Sequence, residues 1–118
     1  MHELSIARSV LEIVRQTIPE NDWKDVQTVR LKIGDVSGVV PESLDFSFSA
    51  IASDTPFVNA KLEIERVPFS LHCNKCGRQS TNYSGLIVCQ YCTSMDTTIL
   101  SGTELLVSEI ELADHGKN

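Results

Sequence analysis

Four cysteines stand in two matched pairs, Cys73-Asn74-Lys75-Cys76-Gly77 and Cys89-Gln90-Tyr91-Cys92, with twelve residues between the pairs. Two residues between cysteines let both sulfurs face one point from a tight turn, where backbone N–H groups can hydrogen-bond them. Gly77 supplies the permissive backbone that such a turn often needs. Two hooks of this kind close a tetrahedral S4 site, the preferred environment of a structural zinc ion. The same residues admit disulfides, which a reducing compartment disfavours. They also admit a rubredoxin-like iron site, which usually has a glycine after both hooks, whereas Thr93 follows Cys92. Four thiolates occupy every coordination position, so no water is activated, and the metal is a fold element rather than a Lewis acid. His72, beside the first hook, reads as a neighbour of the site, with a switchable ligand as the alternative.

His2 draws interest only because of its position. The amine of Met1, the deprotonated amide nitrogen of His2 and its imidazole can close fused five- and six-membered rings around one ion. Nitrogen-rich tetragonal sites suit Ni(II) and Cu(II). Histidine is large, so the initiating methionine is expected to stay and to carry the amine. Glu3 adds a carboxylate or a further backbone nitrogen. Any protein can carry a histidine second, so these residues alone leave the role open.

The elements that must position both sites follow from periodicity. Leu4, Ala7, Leu11, Val14 and Ile18 step by three or four, widened by Ile6, Val10 and Ile13, which predicts an amphipathic helix ended by Pro19 and Glu20-Asn21-Asp22. Val29, Leu31 and Ile33 then alternate with Thr28, Arg30 and Lys32, as a half-buried strand requires. Pro41 suits the first turn of a second helix, with Glu42 near its positive end and Leu44, Phe48 and Ile51 on its apolar side. Lys61 to Val67 alternates again, and a last strand from Glu104 to Leu112 places Leu106, Ile110 and Leu112 on one face. Strand, helix, strand is a crossover unit, so the first two strands should be parallel. The expected class is α+β: two helices on one face of a three-stranded mixed sheet, with an inserted zinc-ribbon-like lobe. Residues 1–69 plus 101–118 form the α/β lobe that carries the amino terminus in this reading, and residues 70–100 the zinc-binding lobe.

Composition narrows the function. In 118 residues, 42 % are hydrophobic and 22 % charged, as in an ordinary globular protein. The longest apolar stretches are about three residues, and no apolar run follows a basic start, so neither a membrane span nor an export signal is expected. Sixteen acidic against ten basic residues give a net charge of −6, which disfavours nucleic acid as a partner. The three histidines are His2, His72 and His115, and no nucleophile elbow, phosphate loop or open metal triad accompanies them. A cytoplasmic, non-catalytic protein is expected.

Met1-His2-Glu3-Leu4-Ser5 opening a helix, the Ile33-Gly34-Asp35-Val36-Ser37 turn, the Pro41-Glu42-Ser43-Leu44 helix start and the paired hooks resemble the HypA/HybF family. These are metallochaperones that help insert nickel into nickel–iron hydrogenase and, in some organisms, urease. The resemblance runs over the whole chain. It implies that His2 is the principal nickel ligand, that Glu3 takes part in nickel handling, and that Cys73, Cys76, Cys89 and Cys92 bind zinc. Ni(II) would be transient cargo and Zn(II) structural. Implied partners are a hydrogenase-maturation GTPase, the hydrogenase large subunit and, in some organisms, urease maturation proteins. Some family members carry an aspartate before the second helix that assists nickel. Here that stretch reads Gly38-Val39-Val40-Pro41-Glu42, and Glu42 reads better as a first-turn helix acid than as a substitute. The competing reading is a zinc-ribbon protein-interaction adaptor with His2 incidental.

Overall fold

The computed structural model describes residues 3–114. Helix α1, Glu3–Thr17, buries Ala7, Val10 and Val14, the middle of the expected stripe, while Leu4 and Ile13 at its borders stay 44 % exposed. After Pro19 the chain makes a short 3-10 turn, Glu20–Asp25, where the sequence suggested only a helix stop. That turn carries Trp23, whose indole Nε1 donates to the Ile18 carbonyl at 2.8 Å. The indole ring packs 5.3 Å from the ring of the fully buried Phe57.

Strand β1, Val26–Gly34, buries Val29, Leu31 and Ile33 as the alternation requires. Helix α2, Pro41–Ala52, turns Leu44, Phe48 and Ala52 inward and leaves Phe46 76 % exposed. Strand β2, Lys61–Val67, follows, and β6, Leu105–Leu112, completes a sheet of order β2-β1-β6. Arg30 meets Glu63, and farther along the Asp35 N–H donates to the Val67 carbonyl at 2.8 Å, so β1 and β2 advance together and are parallel. The Gly34 N–H donates to Glu104 while the Ala113 N–H donates to Asp25, which makes β6 antiparallel to β1. The mixed sheet with two helices is therefore as expected. On its outward side Arg30 reaches Glu63 of β2 and Glu109 and Glu111 of β6, a cross-strand ladder of opposite charge.

The face assigned to the last strand differs from the expectation. Leu106 and Leu112 remain 45 % and 38 % exposed, and only Ile110 is half-buried. As an edge strand β6 has a neighbour on one side alone, so its alternation does not guarantee cover.

The cysteine segment contains a sheet that the sequence did not suggest. Strand β3, Phe69–Cys73, lies between β4, Gln79–Asn82, and β5, Thr97–Ser101, antiparallel to both. Phe69, Leu71, Cys73 and Cys89 are buried there with Ser70 and Ser80. The strands are short and β4 is wholly polar, which removes the alternation that would mark them. The chain divides into two compact units: one holds Val39–Ile64 with the residues up to Leu31 and from Val107 on, the other Lys32–Gly38 and Glu65–Leu106. Within the second unit, Gly34 and Gly102 pack backbone to backbone. A Cβ on Gly34 would lie 2.0 Å from the Gly102 carbonyl, so no larger residue fits.

Candidate metal centre

Each cysteine pair closes a knuckle of the same construction. In the first, the Gly77 N–H donates to the Cys73 carbonyl at 2.9 Å and the Cys73 N–H to the Arg78 carbonyl at 2.8 Å. In the second, the Thr93 N–H donates to the Cys89 carbonyl at 2.9 Å and the Cys89 N–H to the Ser94 carbonyl at 2.9 Å. The residue after each pair takes a left-handed backbone, Gly77 at φ 80° and Thr93 at φ 62°. Glycine adopts this conformation freely, whereas threonine does so at a cost. Thr93 is thus bound by the same turn geometry as Gly77, an equivalence its residue type conceals.

The first knuckle is also fastened from outside. The Asn74 N–H donates to the Asp96 carbonyl at 2.9 Å, and its side-chain amide donates to Asp96 Oδ1 and Thr98 Oγ1, each at 3.1 Å. Asn74 thereby joins the hook to the start of β5. Nothing in the hook motif marks this residue, because its partners lie more than twenty positions downstream.

The four sulfurs converge. All lie within 4.8 Å of one another, with Cys73 Sγ 3.6 Å from Cys92 Sγ and Cys76 Sγ 3.7 Å from Cys89 Sγ. A tetrahedron with metal–sulfur bonds of about 2.3 Å has sulfur–sulfur edges of about 3.8 Å, so the spacing fits one four-coordinate ion such as zinc. Cys73 and Cys89 are buried, Cys76 and Cys92 exposed. Hydrogen bonds from the Cys76 and Lys75 N–H groups hold the Cys73 thiol down at about 6, against the opposing effect of burial. Backbone N–H groups of Cys92 and Tyr91 lower Cys89 in the same way. Cys92 accepts from Ser94, yet burial and the three neighbouring sulfurs push it up to about 11. Thiolates this close repel one another, and a divalent cation among them relieves the repulsion.

His72 is outside this group. It pairs with Gln79 and Thr98 in the sheet, and strand alternation sends its side chain away from the face that Cys73 uses.

Of the expected nickel residues, Met1 and His2 lie outside the described residues, and Glu3 is the first residue of α1. Its carboxylate Oε2 accepts a hydrogen bond of 3.2 Å from the Val40 N–H at the start of α2. Glu42 stands in the first turn of α2, the place expected for a helix acid. Sequence reasoning had no means of joining Glu3 to Val40, thirty-seven positions apart.

A family model described as hydrogenase/urease nickel incorporation, metallochaperone, hypA matches residues 1–112. The chain is 40 % identical over 116 residues to the hydrogenase maturation factor HypA of Desulfatibacillum aliphaticivorans, covering 97 % of this chain and 88 % of that one. It is 39 % identical over 112 residues to that of Geobacter metallireducens, covering 95 % and 99 %. The solution structure of the Ni metallochaperone HypA from Helicobacter pylori superposes with a TM-score of 0.66 over 96 % of this chain and 98 % of that one, at 23 % identity, and so shares the fold.

Proposed function

The chain belongs to the HypA family of nickel-incorporation metallochaperones for hydrogenase maturation, and on that premise we propose that it carries Ni(II) at its amino terminus. The observation that carries this reading is the extent of the family match, which takes in Met1, His2 and Glu3 together with all four cysteines. The amine of Met1, the amide nitrogen of His2 and its imidazole are the donors. A nitrogen-rich set of this kind suits Ni(II). Donors released one at a time favour transfer over retention, as a carrier requires. The protein receives and hands on the ion without catalysing a reaction. Its partners are a hydrogenase-maturation GTPase and the hydrogenase large subunit, and urease maturation proteins where the cell makes urease. Those partners place it in the cytoplasm. Among the described residues no helix is long and apolar enough to cross a membrane.

Zinc is the resident ion of Cys73, Cys76, Cys89 and Cys92. The sulfur spacing and the N–H donors to Cys73 and Cys89 support it. Its role is structural, because four sulfurs leave no open position.

Calorimetric nickel titration of the untagged protein, of His2→Gln and of a form extended upstream of Met1 tests the reading. Glutamine is large enough for Met1 to be retained. Extension turns the amine into an amide and removes one donor, so it should weaken binding almost as much as His2→Gln does. Equal affinity in all three would leave a zinc-bearing adaptor as the better description. Donor nitrogens must lose protons to bind, so affinity should fall as pH drops below neutrality.

A further inference from the structure

Helix α2 begins without a cap of its own. Val40 occupies the N-cap position and makes no side-chain capping bond, and Pro41 follows at the first helical position. Valine has no side-chain acceptor and proline no N–H. The Leu44 N–H returns to the Val40 carbonyl at 3.0 Å, and the Val40 N–H, like the other first donors of a helix, has no acceptor within α2. Its acceptor comes from another element: Glu3 Oε2, 3.2 Å away at the first residue of α1. The carboxylate also puts negative charge against the positive end of α2. At the opposite ends of the two helices, Arg15 and Ile51 line one shallow groove, so α1 and α2 run side by side in the same direction from the Glu3–Val40 contact.

Glu3 follows His2 directly in the chain. We propose that Glu3 is a positioning residue for the amino-terminal nickel chelate: its side chain holds the Val40 N–H and so anchors the residue next to the donors, rather than giving a carboxylate oxygen to the ion. This rests on the nickel reading above. The physical effect is preorganisation. Residues next to a fixed anchor lose less freedom on closing around an ion than residues at a loose helix end. Removing the anchor therefore weakens nickel binding without changing the set of donor atoms. The backbone nitrogen of Glu3 is unaffected by any of this.

Side-chain replacement separates anchoring from ligation. Glu3→Gln keeps an amide oxygen that can accept from Val40, whereas Glu3→Ala keeps nothing. Nickel titrations of untagged wild type, Glu3→Gln, Glu3→Ala and His2→Gln are followed by calorimetry and by the visible ligand-field spectrum. Amide exchange at Val40 is measured beside them. Anchoring predicts that Glu3→Gln binds within about threefold of wild type, while Glu3→Ala is weakened about tenfold, the scale of one hydrogen bond to a charged group. Val40 exchange should rise in Glu3→Ala alone, and the nickel spectrum should be the same in wild type and both Glu3 variants. A Glu3→Gln protein that loses as much affinity as Glu3→Ala, or whose spectrum shifts, would make the carboxylate a ligand and overturn the inference. So would wild-type affinity in Glu3→Ala. If His2→Gln binds as wild type does, the amino-terminal chelate itself is wrong and the anchoring role falls with it.

Discussion

At the scale of single residues, the two knuckles differ in one atom group that matters. Gly77 and Thr93 hold the same left-handed backbone, and only Thr93 has a Cβ to resist it. A non-glycine residue there costs on the order of 1 kcal/mol. Thr93→Gly should therefore stabilise the zinc-loaded protein by about 1 kcal/mol in thermal or denaturant unfolding. A neutral or destabilising result would mean that the Thr93 hydroxyl, 2.5 Å from the Cys92 carbonyl, makes up the difference. The thiols set a pH limit as well. Without metal, N–H donation holds the Cys73 thiol down at about 6 from its ordinary value near 9, so its contribution to stability is fully present above about 9 and is lost as pH falls from there through 6. Protons compete with zinc for the four thiolates, so zinc release measured with a metal indicator should grow as pH falls. Release that did not change with pH would show that the thiolates are not the ligands.

At the scale of elements, periodicity and burial can be set against each other within α2. Phe48 is fully buried and Phe46 is 76 % exposed, two positions apart on one helix. Phe48→Ala should cost about 3–5 kcal/mol, because it removes a buried ring and leaves a cavity. Phe46→Ala should stay within about 0.5 kcal/mol. Chemical denaturation of the pair tests the assigned face, and similar losses in both would mean that the helix is rotated. The crossover is equally demanding at Gly34. Gly34→Ala would drive a methyl into the Gly102 carbonyl, and a variant of wild-type stability would contradict that backbone contact.

At the scale of the whole molecule, two compact units carry different sources of stability. The first contains the buried faces of α1 and α2, with Ala7, Val14, Leu44, Phe48 and Phe57. The second contains the cysteine segment, whose small apolar core is Phe69 and Leu71 beside Cys73 and Cys89. On the zinc proposal, metal binding supplies much of the folding free energy of the cysteine segment. A strong chelator should raise amide exchange in β3, β4 and β5 first, leaving α1 and α2 protected. Exchange that rises evenly over both units would show that they fold as one. Cys92→Ala should reproduce the chelator pattern without any chelator.

What the sequence determined by itself was local. The Cys-x-x-Cys spacing, the stripe of α1 and the alternation of Val29, Leu31 and Ile33 each repeat within a few residues, so the backbone period alone shows the face or the point of convergence. The α+β class and the parallel crossover followed from the order of those elements. Tertiary structure decided whatever depends on partners far along the chain. Leu106 and Leu112 alternate correctly yet stay exposed, because an edge strand is covered only where another element reaches it. Phe57 lies in a turn-rich stretch with no period, yet is fully buried against Trp23. The β4-β3-β5 sheet has no alternating signature because its strands are short and partly polar. The bond from Glu3 to Val40 joins two helix starts whose residues show no sign of each other, since a side chain's hydrogen-bond partner is set by packing and not by spacing.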